Sequence, residues 1–168
     1  NGVATFSGLS IDKIGTGYTL AASSSGLDPD TSDPFNISAA AASQLLFLQQ
    51  PSNAAPGATI APPVSVRILD AFGNQTASTA SVDIAIGTNP GVGTLSGTTS
   101  VAAVAGVASF PNLSINNAGN GYTLTAASAG LTGATSNTFN LNCPATVVTN
   151  SDDSGAGSLR QIIADACP

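Results

Sequence analysis

Two stretches decide how this chain is read: GVATFSGLSIDKIGTGYTLAASSSGL at 2–27 and GVASFPNLSINNAGNGYTLTAASAGL at 106–131. Their offset is 104 residues and holds without a gap from Gly2/Gly106 to Ile37/Leu141, with more than half of the aligned positions identical. Self-similarity of this kind is a tandem duplication, and it divides the chain before any element is assigned. Residues 1–37 read as the C-terminal third of one repeat and residues 38–141 as a complete repeat. Residues 142–168 follow a different pattern and carry both cysteines.

Inside the complete repeat the apolar residues alternate in strand-length runs. Leu45–Leu48 is a short apolar run that ends at Pro51. Val64, Val66 and Ile68 alternate with Ser65 and Arg67 up to the turn Asp70-Ala71-Phe72-Gly73-Asn74. Val82, Ile84 and Ile86 alternate with Asp83 and Ala85, closed by Asn89-Pro90-Gly91. A Gly/Thr-rich strand is expected from about Thr94 to Ala103, then strands over 107–115, 121–127 and 135–141. Seven short strands with regular turn chemistry predict an all-β, antiparallel Greek-key sandwich.

Two local features fit that architecture. Apolar parity switches from Ala108 and Phe110 to Leu113 and Ile115 across Pro111-Asn112, as at a bulge or bend that turns a corner. Tyr122, after Gly119 and Gly121, is placed to lock a corner with its hydroxyl on nearby backbone, and Tyr18 repeats it. Stacking on a ligand is the other use of such a tyrosine; the amphipathic corner lock is the better fit here.

These motifs carry a resemblance. LLFLQQPS (45–52), VSVRILDAFGN (64–74), GVASFPNLSI (106–115) and GNGYTLTA (119–126) resemble bacterial Ig-like domains. The resemblance covers residues 1–141 and implies tandem sandwiches of the kind found in large surface proteins, adhesins and stalks. It bears on fold more than on function, because one sandwich serves as spacer, adhesin tip or sugar binder.

The last segment, PATVVTNSDDSGAGSLRQIIADACP at 144–168, predicts a strand at 146–149 and a polar turn. A short helix capped by Ser158 follows, with Leu159, Ile162, Ile163 and Ala166 on one face. VTNSDDSGAGSLRQIIADA resembles the opening of secreted right-handed parallel β-helix proteins, where a strand and a small helix cover the end of the solenoid. That family includes polysaccharide lyases and passive surface solenoids. The groups such lyases use lie on later rungs, so no catalytic residue carries over. Cys143 and Cys167, an even pair in one short segment, read as a local disulfide in an oxidising compartment. Closing such a loop would contribute about 3 kcal/mol.

Composition narrows the chemistry further. The 168 residues include three Lys/Arg and nine Asp, with no His, Glu, Met or Trp, and a net charge of −6. A Ser-His-Asp triad, a His-bearing zinc site and a Cys-His pair are therefore impossible within this chain. A net charge of −6 argues against a nucleic-acid surface. No run approaches the roughly 18 apolar residues of a membrane span. A polar surface of Ser and Thr with mild negative charge suits an extracellular protein. Beginning at Asn1 without any Met, the chain reads as a processed or excised piece of something longer.

Candidate sites are few. Asp28, Asp30 and Asp33 in LDPDTSD form the one dense carboxylate cluster, either a Ca²⁺ loop or a solvated turn. The second copy reads LTGATSN there, without the three acids. Asp12, Asp70 and Asp83 are expected as isolated surface groups. No carboxylates are paired for acid–base work, so no enzyme activity is expected. Lys13 is the only lysine and its counterpart is Asn117, which argues against a repeated isopeptide bond. N-x-S/T sequons at Asn36, Asn74 and Asn112 are glycosylation candidates.

The sequence thus predicts an extracellular structural or adhesive protein, a surface stalk or filament subunit with no resident cofactor unless calcium. The alternative is the spacer and cap of a secreted polysaccharide-processing β-helix protein. A carbohydrate-binding module fits less well, lacking Trp. Three strands cannot close a sandwich, and they leave Phe6, Leu9, Ile11, Tyr18 and Leu20 needing cover. Copies of the chain itself, or further Ig-like repeats, are the expected partners on residues 1–37, joined by strand complementation. Surface polysaccharide is a further partner class; nucleic acid and membrane insertion are not expected.

Overall fold

A computed structural model describes residues 2–143. The strand expected at 146–149, the helix from Ser158, and Cys167 with its expected disulfide to Cys143 lie outside the described residues. Within them the fold is all-β, with no helix, and no segment forms a helix long and apolar enough to cross a membrane.

The first repeat contributes four short strands: β1 (Gly15–Tyr18), β2 (Ala21–Ala22), β3 (Asp30–Thr31) and β4 (Phe35–Ile37). β1 pairs antiparallel with β4, and β2 with β3.

The second repeat opens with β5 (Ala42–Gln49), which holds the short apolar run, and with β6 (Val64–Asp70) and β7 (Ser81–Ile86), the two alternating runs. After them come β8 (Leu95–Ser96), β9 (Ser100–Ala102), β10 (Val107–Phe110) and β11 (Ser114–Ile115). Last are β12 (Gly119–Tyr122), β13 (Leu124–Ala127), β14 (Ala134–Thr135) and β15 (Phe139–Leu141). One sheet has the order β10-β6-β5 and the other β14-β13-β7-β9, with β11 on β8 and β12 on β15. All of these ladders are antiparallel.

The two sheets face each other in a sandwich-like arrangement across one core. Leu45, Phe47, Val64, Val66, Ile68, Ala108 and Phe110 from the first sheet meet Val82, Ile84, Leu124 and Ala126 from the second. Each large side chain buried there contributes roughly 1.5–3 kcal/mol relative to an exposed one. The apolar parity switch does turn a corner. β10 pairs with β6 in one sheet, β11 pairs with β8 in a separate two-stranded ladder, and Phe110 and Leu113 are both fully buried on either side of exposed Pro111 and Asn112.

The structure divides several strands that the sequence predicts as continuous. The run from Thr94 to Ala103 breaks into β8 and β9 because Gly97 takes a left-handed φ of 103° against the Asn112 backbone. The Asn112 side chain seals that break, accepting from the Thr98 N–H at 2.9 Å and donating to the Thr98 hydroxyl at 3.2 Å. Between β12 and β13, the Thr123 hydroxyl accepts from the Thr88 N–H at 2.7 Å, drawing the chain out of one ladder and into the next. Ser136 does the same between β14 and β15, accepting from Leu124 N–H at 2.9 Å and donating to Asn137 O at 2.8 Å.

Candidate functional site

The two copies build the same local structure. Tyr122 donates its hydroxyl to Asn117 O at 3.0 Å, and Tyr18 donates to Lys13 O, the equivalent atom, at 3.2 Å. Tyr122 packs on Phe139 with ring centroids 5.9 Å apart, and Tyr18 on Phe35 at 6.2 Å, so both corner locks expected from the sequence form. Gly121 and Gly17 sit at irregular registers with φ of 86° and 74°, a conformation only glycine adopts freely. Their N–H groups donate to Asn140 Oδ1 at 2.8 Å and Asn36 Oδ1 at 3.0 Å. Ser136 and Ser32 hold the neighbouring strand in the same way, each accepting at 2.9 Å from Leu124 N–H and Leu20 N–H respectively.

What differs is the cover. Phe110, Leu113 and Leu124 are fully buried, whereas their counterparts Phe6, Leu9 and Leu20 are 70%, 67% and 47% exposed. Strand structure is lost with the cover. Val107–Phe110 is β10, hydrogen-bonded to β6, but its counterpart Val3–Phe6 is not a strand. Ser114–Ile115 is β11 on β8, but Ser10–Ile11 is irregular. Four residues of β13 lie on β7, whereas β2 is two residues long and touches β3 alone. The uncovered face is a groove of about 470 Å³ whose lining includes Phe6, Leu9, Leu20, Ala22 and Asp30.

Beside this face lies the junction between the repeats, organised by a carboxylate. Asp70, expected as an isolated surface group, is instead fully buried. Its Oδ1 accepts from Phe72 N–H at 2.9 Å and Asn74 N–H at 2.8 Å. Its Oδ2 accepts from the Asn74 amide at 2.9 Å and from Ala40 N–H, in the inter-repeat linker, at 3.0 Å. Burial pushes this carboxyl up, but the hydrogen bonds from Asn74 and from the Ala40 and Phe72 backbone outweigh it and bring it down to about 2.

The turn that Asp70 holds then grips the first repeat. The Asn74 amide donates to Asp12 O at 2.7 Å and accepts from Ile14 N–H at 3.4 Å. Lys13 Nζ donates to Phe72 O at 2.7 Å. Only the local turn had a signal in the sequence, D-A-F-G-N: an Asp side chain two and four residues before N–H groups is a turn-former that satisfies local backbone, whereas the contacts to residues 12–14 and 40 had none.

The remaining candidates are scattered. Asp28, Asp30 and Asp33 are exposed, and Asp30 Oδ1 accepts from Thr31 N–H at 2.8 Å. Among the described residues no group of three or more His, Cys, Asp or Glu side chains is arranged to hold a metal ion. Asp12 and Asp83 are exposed. Of the sequon residues, Asn36 and Asn112 are exposed, whereas Asn74 is buried with its amide nitrogen in two hydrogen bonds.

No family model matches this chain, and no curated protein matches it. Similar solved structures include two of a Parabacteroides merdae beta-glucuronidase, one with glycerol in its active site. They are 20% and 21% identical to this chain, each with a TM-score of 0.42. The match covers 64% of this chain and 14% of those chains, so this chain spans a small part of their length.

Proposed function

We propose that this chain is a stretch of an extracellular structural or adhesive protein, a surface stalk or filament built from Ig-like sandwiches in series and completed by strand complementation. The observation that carries this reading is the junction. Three hydrogen bonds join the Asp70–Asn74 turn to residues 12–14 of the first repeat, and a fourth ties the same turn to Ala40 in the linker. Three of the four engage main-chain atoms of the first repeat or of the linker, so the contact tolerates side-chain drift between repeats. A series of sandwiches clamped in this way transmits load along the chain and holds a distal module at a distance. Calcium at the Asp28 loop and glycans on Asn36 or Asn112 would be additions to that role.

The test is whether the junction is rigid in solution. Residual dipolar couplings measured separately for residues 15–37 and 42–141 are expected to fit one alignment tensor. In Asn74→Ala, which removes the amide from Asp12 O and Ile14 N–H, the two sets are expected to need separate tensors. Independent tensors in the unmodified chain would overturn the reading.

A further inference from the structure

We propose that the uncovered face of residues 3–37 is a docking surface for a β-segment built like residues 42–102, an additional copy of the strands that cover its counterpart in the second repeat. The proposal rests on the serial-repeat reading above and names the partner that completes the open end. Its warrant is internal to the molecule. The second repeat shows which surface this face takes: Val107–Phe110 pairs with Phe110↔Val64 to Val107↔Arg67, Ser114–Ile115 with Leu95–Ser96, and Leu124–Ala127 with Asp83–Ile86. Three pairing edges are met by three strands of one continuous segment.

A single donated strand would satisfy one edge and leave the apolar positions of the other two in water. Sites 3–6, 10–11 and 20–23 lack strand pairing of this kind while the corner lock, the Gly17–Asn36 bond and the Ser32 bond are already formed. The face is thus preorganised on one side and open on the other. Its partner brings backbone hydrogen bonds together with apolar cover, which is the β-augmentation mode.

The chain's own residues 42–102 do not reach this face. They are engaged by residues 107–141. Folding back is also excluded by length. Residues 38–41 span at most about 18 Å between Ile37 and Ala42. In the second repeat, β5 begins beside Thr132 and the chain passes Leu141, the Ile37 counterpart, only at Ala54. The eight residues of β5 alone cover roughly 23 Å of that path. A second copy of the chain brings one such segment, already engaged by its own last strands, so the occupant is a segment additional to these.

The experiment compares the 168-residue chain with the same chain carrying a second copy of residues 38–104 joined ahead of Asn1, by hydrogen exchange. In the extended protein, amides of residues 3–6, 10–11 and 20–23 are expected to slow by about 100-fold or more, toward the rates of 107–110, 114–115 and 124–127. Placing Ser in the added copy at the positions of Val66 and Ile84 is expected to abolish that slowing. Unchanged exchange, or an insoluble extended chain, overturns the proposal. So does slow exchange in the unextended chain from a dimer that dissociates on Phe6→Ser, which would assign the face to a second copy. The alignment tensors test the serial reading separately, since they depend on the junction and not on the open face.

Discussion

Asp70 carries the clearest consequence of any single residue. Its folded carboxyl lies near 2 against an ordinary value of 3.8, so the ionised form is favoured by folding. The stability this provides is present above about pH 4 and is lost as pH falls from about 4 to about 2. Urea midpoints of the native protein are expected to fall steeply across that window. Asp70→Asn is expected to be less stable at pH 7, because an amide cannot accept all four hydrogen bonds, and flatter below pH 4. Equal slopes for the two proteins would show that other carboxyls set the acid limb. The tyrosine corner gives a second residue-scale expectation. Tyr122→Phe removes the bond to Asn117 O and costs about 1 kcal/mol by chemical denaturation, while Tyr18→Phe, whose bond is exposed to water, costs a few tenths. Both corners were legible in the sequence, because Gly-x-Gly-Tyr has a local meaning. Asp70 was not, because its partners include Ala40, thirty residues away, and an isolated Asp in a turn looks like any solvated acid.

At the scale of the element, the duplicated sequence acts as its own control. Identical or near-identical runs form strands where a partner strand exists and irregular chain where none does, as at 107–110 and 3–6. Alternation in sequence therefore marks a capacity for strand, and pairing decides whether it is realised. The same contrast fixes the energetics. Phe110→Ala is expected to destabilise by about 3–5 kcal/mol and Phe6→Ala by under 0.5 kcal/mol in the isolated chain, read from thermal or urea unfolding. Strand positions, the core residues and the corner at Pro111-Asn112 were all readable from apolar parity. The interruptions at Gly97, Thr123 and Ser136 were not. Each depends on a side-chain or backbone hydrogen bond from a distant part of the chain, which periodicity does not encode.

For the whole molecule, the duplication and the two-sheet arrangement of the second repeat followed from the 104-residue offset and the run of alternating strands, but the manner of joining did not. The junction depends on main-chain atoms of residues 12, 14 and 40 together with Lys13, and a carbonyl or an N–H leaves no trace in the sequence. The four-residue connection at 38–41 has a further effect during synthesis. Residues 42–102 emerge from the ribosome next to the open face of residues 3–37 and before their proper partner, 106–141, has been made. Two nearly identical acceptors then compete for one segment, the situation in which repeat proteins misassemble. The connection is too short to let the segment turn onto the earlier acceptor, so it waits for the later one. Lengthening it by about ten Gly/Ser residues, a flexible reach of roughly 20 Å more, is expected to open the wrong pairing. A second set of amide resonances from residues 3–37, in slow exchange with the first, would report it. A four-residue connection then acts as a proofreading step, keeping these strands off the wrong repeat until their own partner exists.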